Sequence, residues 1–433
     1  MQMSHDALAE ARSAPSPAAE DPGSDQLADG PAGLAHVATA SFIGSRIVPT
    51  GGFAVGLAGG IALARVGQRL GLRAAYGASL AAMLQAVAVM GPLRIGIPLT
   101  QSLSAPLLGR MHARGASVSA QLAACGAIRL LDQIVTILFY IWVVAGGVET
   151  YAATYDALLG WLPGFPEGVT GALVLTAAGL VAWTVFASAV QVFVYRRALF
   201  AWPSTAPAPA APTAAVRIAD EPAPAMPRYD PRAAAIAAAV AFAVLLASTD
   251  PIVLSAVAAW LALAWLTARA DRAPVRAGLA LAAMLAGGAL VFGLVGGAGI
   301  ELTLQRVARV TLLVLVATWL RATAGEEGLR EIFRRTLHRV RRVPAMAEAS
   351  AVLEKLGAAG ALGASARTLA HTVRHAPRRL TPLATTVLGW IATEAACFAV
   401  PERTPQAELR VRGWDVLMVA LAVAAAASVV ATG

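Results

Sequence analysis

The sequence is poor in charge and almost free of lysine. Only 14% of its 433 residues are charged, and Lys355 is the only lysine, while hydrophobic residues make up 58%. Soluble domains carry about 25% charged residues, so this composition excludes a soluble domain and indicates a protein that crosses a membrane several times. The net charge of +9 comes from arginines that lie between apolar segments, which is typical of cytoplasmic loops and argues against a nucleic-acid partner.

Cysteines and catalytic motifs are also scarce. Cys125 and Cys397 are far apart and lie within or beside apolar sequence, so they provide neither a disulfide framework nor a C-x-x-C site. No Walker loop, H-E-x-x-H or G-x-S-x-G pattern occurs in a suitable setting. His371 and His375 have a spacing that could hold a metal, but their neighbours are arginines, and we interpret them as part of a solvated basic face. The sequence therefore predicts no intrinsic enzyme activity, no cofactor and no metal site.

Two low-complexity stretches divide the chain. Residues 1–35 are rich in Ala, Pro, Ser and acidic residues, and they predict a disordered tail without the basic start of a secretory signal. Residues 201–231 form a Pro- and Ala-rich linker. The expected units are thus an N-terminal membrane module at 36–200 and a C-terminal membrane module at 232–433.

The apolar runs predict an all-α polytopic membrane protein with about 7–9 membrane segments, because a spanning helix needs about 20 apolar residues. In the first module these runs are 47–64, 74–90, 130–148 and 168–194, and in the second they are 233–248, 252–268, 277–295, 307–320 and 414–432.

Charge in the loops predicts the orientation. Residues 321–381 carry twelve Lys or Arg against five Glu, so they belong on the cytoplasmic side, whereas the acidic segment 149–167 belongs outside. Simple alternation then places the arginines between 65 and 73 outside, against the positive-inside bias. A re-entrant segment near Pro92 resolves this conflict, since Gly-Pro breaks are tolerated at membrane depth where they are buried in protein.

A basic amphipathic helix is expected directly after Arg321, within cytoplasmic helices at about 322–381. Thr323 and Glu326 have the spacing of a capping box, which predicts the helix start there. Apolar residues then follow a three-four spacing on one face. This helix either binds anionic lipid headgroups or docks an acidic soluble subunit. The candidate docking residues on its other face are Arg330, Arg334 and Arg335.

The sequence RVARVTLLVLVATWLRATAGEEGLREIFRRTL resembles the transmembrane T component of energy-coupling factor (ECF) transporters, the cobalt-permease type. The resemblance covers about residues 229–433. That family has an arginine-led apolar helix followed by a Thr-Thr-Ser-Pro-Glu-Glu-Leu type of turn. The matching positions are Arg309, Thr323, Glu326, Glu327 and Leu329.

This resemblance implies a membrane subunit of an ABC-type micronutrient (metal ion or vitamin) uptake system in the bacterial plasma membrane. Its implied partners are ATP-hydrolysing subunits and a substrate-binding membrane component, to which it transmits the ATPase movement. In the family, arginines of Ala-Arg-Gly motifs dock the ATPase, and Ala366-Arg367 is a near match here. The first module lies outside the resemblance and is a candidate for the substrate-binding component in fused form.

Arg129 and Asp132 enter an apolar run three residues apart, a spacing that places them on one helical face as an intramembrane polar pair. With Gln85, Gln133 and Gln191 they could form a polar patch that serves either a substrate or helix packing. Two alternatives to the ECF function stay open. One is a non-energised scaffold with a decayed T-like fold, and the other is a secondary transporter that uses the polar pair as its midplane site.

Overall fold

The computed structural model describes residues 30–47, 52–92, 98–162, 164, 166–202, 229–268, 272–297, 299–375, 380–397 and 409–432. Every regular element in these ranges is a helix, which confirms the all-α class. The helices are α1 Pro31–Ile47, α2 Gly52–Met90, α3 Pro98–Ala113, α4 Val118–Phe139, α5 Val148–Leu159, α6 Gly168–Phe200, α7 Pro231–Ala247, α8 Pro251–Thr267, α9 Arg272–Val295, α10 Ile300–Arg339, α11 Pro344–Lys355, α12 Ala359–His375, α13 Leu380–Cys397 and α14 Gly413–Thr432, with a π-helical extension of α4 at Tyr140–Ala145.

Five of these helices are long and apolar enough to cross a membrane, namely α2, α4 with its extension, α6, α9 and α10. Three shorter apolar helices, α7, α8 and α14, add to them. Within the described residues this agrees with the predicted 7–9 segments. The chain is a multi-pass membrane protein.

The start of the first module differs from the two separate spans expected at 47–64 and 74–90. Residues 52–64 of the first run and the whole of the second belong to the single helix α2, which bends at Gly71, while residue 47 ends α1 and 48–51 lie outside the described residues. Gly71 has φ 86° and ψ 179°, a conformation that is essentially restricted to glycine. Helix α1 begins at Pro31, inside the segment expected to be a tail, while the rest of the tail and most of the linker lie outside the described residues.

Helix α3 runs antiparallel along α2 at close range. The Ser79 hydroxyl donates to the carbonyl of Ser102 at 2.5 Å, and further along the pair Gly67 faces Pro106. A methyl group added at Gly67 would overlap the Pro106 carbonyl, so small residues permit this approach. The pair returns the chain towards the side from which α2 came. The expected re-entrant segment near Pro92 falls at the tip of this hairpin, of which 93–97 lie outside the described residues.

The second module is held by arginine and tryptophan contacts of α10. Arg309, which is buried, donates from Nε to the carbonyl of Leu245 at 2.5 Å and from Nη2 to that of Leu246 at 2.8 Å, so it satisfies the end of α7. The Trp319 indole donates to the carbonyl of Ala264 at 3.2 Å and is fully buried. These contacts join α10 to the α7–α8 hairpin.

Helix α10 bends at Gly325, whose φ is 68° and ψ 173°. The break therefore falls two residues after the expected start at Thr323. The Thr323 hydroxyl donates back to the Trp319 carbonyl at 2.8 Å, within the first half of the helix. Beyond the bend, α10 carries the arginines that were predicted to form a basic face.

The helices that follow the bend pack against the first module. One continuous apolar cluster contains residues of α1, α2, α3, α4 and α6 together with residues of α10, α11, α12 and α13. On its rim Arg73 of α2 lies 3.1 Å from Glu348 of α11. Arg73 is thereby placed on the side that arginine content predicts to be cytoplasmic, which removes the conflict that simple alternation created.

Candidate functional site

Buried polar side chains connect α3, α4 and α6 inside the first module. Arg129 of α4 is 4% exposed and donates from Nη2 to Oε1 of Gln191 on α6 at 2.5 Å. The Gln191 amide in turn donates to the hydroxyl of Ser104 on α3 at 2.7 Å. Gln191 and Ser104 are fully buried. Hydrogen bonds from Arg129 to Gln191 and from Gln191 to Ser104 thus join the three helices. The oxygen that accepts from the Arg129 guanidinium belongs to a neutral amide.

Asp132 lies on the same helix as Arg129 but has a different partner. Its Oδ2 accepts from the hydroxyl of Thr100 at 2.6 Å, and Ser104 donates to the Thr100 carbonyl at 2.7 Å. The two charges that the sequence suggested as a pair are therefore connected indirectly, through Gln191 and α3, rather than by a direct ion pair. Neither charge cancels the other at contact distance.

Several further polar groups lie among the same helices without a hydrogen-bond partner within the described part of the chain. They are the amide of Gln101, the hydroxyl of Thr184 and Nε of Arg129. The hydroxyls of Ser188 and Tyr195 make no hydrogen bond of normal geometry either, but they lie close to the Cys125 thiol and the Gln191 side chain, respectively. All five residues are more than nine-tenths buried. Buried polar groups in native structures are normally paired, because an unsatisfied one costs about 1–3 kcal/mol. We call these five residues, with Thr100, Ser104, Asp132 and Gln191, the Arg129 cluster.

A face of α2 closes the cluster from a fourth side. Phe53, Gly56 and Gly60 are spaced three and four residues apart, so they share one face. The Phe53 ring centroid lies 5.9 Å from the guanidinium of the cluster. A methyl group at Gly56 would come within 2.7 Å of the Gln101 amide oxygen, and one at Gly60 would overlap the Tyr195 hydroxyl. Glycine therefore leaves the space that these polar side chains occupy.

Arg330, expected at a docking surface, is instead buried between helices. It is 9% exposed, and Nη2 donates to the carbonyls of Leu353 at 2.6 Å and Leu356 at 2.8 Å. These carbonyls end α11, where a cation also complements the helix dipole. The structure gives Arg330 the role of holding α11 against α10.

Two other expected docking arginines share one carboxylate. Arg334 and Arg335 donate from Nε to Glu331 at 2.7 and 2.6 Å, and Arg334 also lies 3.5 Å from Glu354. Arg367 on α12 is exposed. The four arginines thus do not form one surface. The Arg367 side chain is exposed to solvent and has no ion-pair partner among the described residues.

Polar contacts also cross from the second module to α2. Gln85 of α2 is fully buried and donates to Glu326 Oε1 at 3.0 Å and to the carbonyl of Gly357 at 3.3 Å. Arg321 donates from Nε to the carbonyl of Val89 at 2.9 Å. The C-terminal end of α2 is therefore attached to α10 on both sides of its bend.

A second polar junction links α1 to α12 and α13. His36 Nε2 lies 3.1 Å from the hydroxyl of Ser365 on α12, and that hydroxyl makes a short hydrogen bond to Glu394 on α13. Burial lowers the pKa of His36 to about 3, which outweighs the Glu394 carboxylate 3.9 Å away. The neutral imidazole therefore donates to Ser365, which donates to Glu394.

Metal ligands do not converge within the described ranges, where no group of three His, Cys, Asp or Glu could hold an ion. The rings of His371 and His375 stack with centroids 4.0 Å apart. Nδ1 of His375 is also 2.9 Å from the carbonyl of His371. His375 is thus hydrogen-bonded to the backbone of its own helix, and the two imidazoles do not direct free nitrogens at a common metal position.

Part of the Arg129 cluster was predictable from the sequence. Gln191 was expected in a polar patch and does bind Arg129, whereas Gln85, expected in the same patch, lies at the module junction. Thr100, Gln101 and Ser104 were missed. Their signal was the polar run TQSLS inside a mostly apolar segment, which places hydroxyl and amide groups on successive faces of α3.

Comparison with known proteins identified no relative of this chain. No protein-family model, curated protein or solved structure matches the chain.

Proposed function

We propose that this chain is a transport-complex membrane subunit of the ECF type for micronutrient uptake across the bacterial plasma membrane. In this proposal the first module holds the substrate at the Arg129 cluster, and the second module transmits movement to it. The carrying observation is the set of five buried side chains between α2, α3, α4 and α6 whose polar atoms make no hydrogen bond of normal geometry to any described residue. A cluster that served packing alone would be expected to pair these groups internally, whereas a substrate with polar groups supplies the missing partners.

The shape of α2 supports the coupling part of the proposal. Gly56 and Gly60 of α2 border the Arg129 cluster, while Gln85 of the same helix binds Glu326 beside the α10 bend. A displacement of the basic helices after Gly325 is therefore applied directly to a helix that lines the substrate site. The bend of α2 at Gly71 separates the two contacts and is the natural hinge between them.

Arg367 is the remaining candidate for ATPase docking, because its side chain is exposed on α12. The test is co-purification of the tagged protein with its ATP-hydrolysing subunits from host membranes at low salt. We expect Arg367→Glu to release the ATPase and Arg197→Glu, an exposed change in the first module outside any Ala-Arg-Gly motif, to retain it. Recovery of no ATPase subunit with the unmodified protein contradicts energy coupling.

Uptake tests the transport claim itself. Cells that lack the gene and cells that express it are given labelled cobalt, nickel, biotin and folate in turn. We expect accumulation of one compound with the wild-type chain and at least a tenfold loss with Gln101→Leu, since a lost hydrogen bond to a charged group is worth about 1.5–3 kcal/mol. If no compound accumulates above the deletion strain, a scaffold function replaces transport.

A self-sufficient secondary carrier is the second candidate, and one observation favours it. Arg129 and Asp132 are joined through hydroxyl and amide groups across three helices, as in transporters with polar sites at the membrane midplane. ATP depletion separates the two mechanisms. Uptake that survives ATP depletion but is abolished by a proton uncoupler assigns the carrier mechanism.

A further inference from the structure

We infer that the Arg129 cluster receives an organic carboxylate rather than a metal cation. This inference rests on the proposed function, because it names the substrate class of the same site.

The charge at the cluster is positive where it is most deeply buried. Arg129 is 4% exposed and cannot lose its proton in a protein, and its hydrogen-bonded partner, Gln191, is neutral. Asp132 is only half-buried and is engaged by the Thr100 hydroxyl. A buried cation without a contacting anion is strongly unfavourable, so an anionic ligand stabilises this arrangement while a metal cation is repelled.

The groups of the cluster that make no hydrogen bond of normal geometry to the described residues are mostly donors. Nε–H of Arg129, the three hydroxyls of Thr184, Ser188 and Tyr195, and the amide nitrogen of Gln101 can all donate. An ionised carboxylate accepts only, with about four lone-pair positions on two oxygens. The donor set and the ligand therefore match in kind. The Ser188 hydroxyl faces the helix of Arg129, since a methyl group at Gly126 would lie 4.0 Å from its oxygen and 3.9 Å from the methyl carbon of Thr184.

An aromatic surface adjoins the guanidinium. The Phe53 ring is 5.9 Å from the Arg129 carbon Cζ, and the Trp183 ring centroid is 6.2 Å from that of Phe53. A carboxylate bound by Arg129 thus has an apolar wall on which its carbon skeleton can pack. This favours an organic acid with a flat or apolar body over a small inorganic anion.

The test uses benzoate as the probe and benzamide as its neutral analogue of the same shape. The full chain in detergent is titrated with each compound at constant ionic strength, and the thermal unfolding midpoint is recorded. We expect benzoate to raise the midpoint saturably and benzamide to require at least tenfold higher concentration, because charge-assisted hydrogen bonds to arginine are about twice as strong as neutral ones. Sodium chloride and cobalt chloride at the same ionic strength should give no saturable increase.

Substitutions test whether benzoate acts at the Arg129 cluster. Arg129→Gln should abolish the benzoate response, and Gln101→Leu, which keeps the side-chain volume, should weaken it at least fivefold. Arg114→Gln, an exposed arginine of the same module, should leave it unchanged. If Arg129→Gln does not yield folded protein, Gln101→Leu and Arg129→Lys test the site instead. Arg129→Lys keeps the positive charge and should retain a weaker benzoate response.

Equal stabilisation by benzoate and benzamide, or a benzoate response that survives Arg129→Gln, overturns the inference. Its failure is distinguishable from that of the proposed function. Cobalt uptake that depends on Gln101 in cells, without benzoate binding, keeps transport and overturns the carboxylate class. A benzoate response that requires Arg129, in a chain that supports no uptake, keeps the carboxylate site and overturns transport.

Discussion

Gln85 donates a hydrogen bond to Glu326 at 3.0 Å across the junction between the two modules. Gln85 is fully buried on α2, and Glu326 directly follows the glycine at which α10 bends. The same amide reaches the carbonyl of Gly357, in front of α12, at 3.3 Å. One side chain therefore holds α2, the bend of α10 and the start of the α12 segment together.

Replacing Gln85 should loosen this junction. Gln85→Leu keeps the volume but removes the hydrogen bonds to a carboxylate and to a carbonyl, so we expect a loss of about 1.5–3 kcal/mol in the free energy of unfolding. Gln133→Leu, at a half-buried position of α4, is the control and should change it by less than about 0.5 kcal/mol. Thermal unfolding in detergent measures both. Equal midpoints for the two variants would mean that the junction contributes no stability.

Arg330 should be a structural residue and not a docking residue. Arg330→Met leaves the last carbonyls of α11 without their donor, and we expect a loss of about 2–4 kcal/mol. Arg335→Met removes a side chain that is 46% exposed and ion-paired at the surface, and should cost less than about 1 kcal/mol. Chemical denaturation of the two variants tests this contrast. An Arg330→Met protein of wild-type stability that no longer binds a partner would restore the docking interpretation.

The bend at Gly325 requires glycine. At φ 68° and ψ 173° an added Cβ is strained, although nothing lies within 4 Å of it, so Gly325→Ala should cost about 1–3 kcal/mol. Gly363→Ala, inside α12 and also free of neighbours, should instead stabilise the protein by about 0.5–1 kcal/mol. Unfolding midpoints that move in opposite directions are the expected result. Two stabilising substitutions would contradict the bend.

Acid should destabilise the protein through His36. Its folded pKa is lowered to about 3 by burial, whereas the unfolded chain binds a proton near pH 6.5, so stability decreases as pH falls from about 6.5 towards 3. The loss attributable to this residue is about 1.4 kcal/mol per pH unit. His36→Gln keeps a donor for Ser365 but does not titrate, and should be less acid-sensitive by that amount. Parallel pH profiles for wild type and variant would exclude this assignment.

Cysteine labelling tests the arrangement of α2 relative to the basic helices. In a background without Cys125 and Cys397, Arg73→Cys and Arg339→Cys should react with an impermeant maleimide from the same membrane face, and Glu167→Cys from the other. The contact of Arg73 with Glu348 at 3.1 Å requires this result for the first two positions. Labelling of positions 73 and 339 from opposite faces would disprove the packing of α11 on α2.

The elements of the second module could be predicted closely because each is an apolar run bounded by its own stop signals. Asp230 and Asp250 cap α7 and α8 ahead of prolines, as their local sequence indicates. The span α14 also begins within one residue of its expected start. Such features depend on neighbours within a few residues, and a single sequence contains them.

The Arg129 cluster and the burial of Arg330 depend instead on residues far apart in sequence. Arg330 lies on a basic helical face, which normally faces solvent, and only the position of α11 shows that it binds carbonyls 23 and 26 residues away. Gln191 meets Arg129 from 62 positions further on. Helical periodicity identifies a face but not the element that covers it.

The junction of His36 with Ser365 also has a consequence for how the protein is made. The two residues are 329 positions apart, so at about 5–20 residues per second the ribosome needs roughly 15–65 s to supply the partner of α1 after α1 has emerged. During this time α1 and the adjoining part of α2 keep exposed the apolar surface that α11, α12 and α13 later cover. The first module should therefore depend on insertion factors or chaperones throughout its synthesis, and truncation before residue 344 should leave it prone to aggregation even when all its own membrane helices are present.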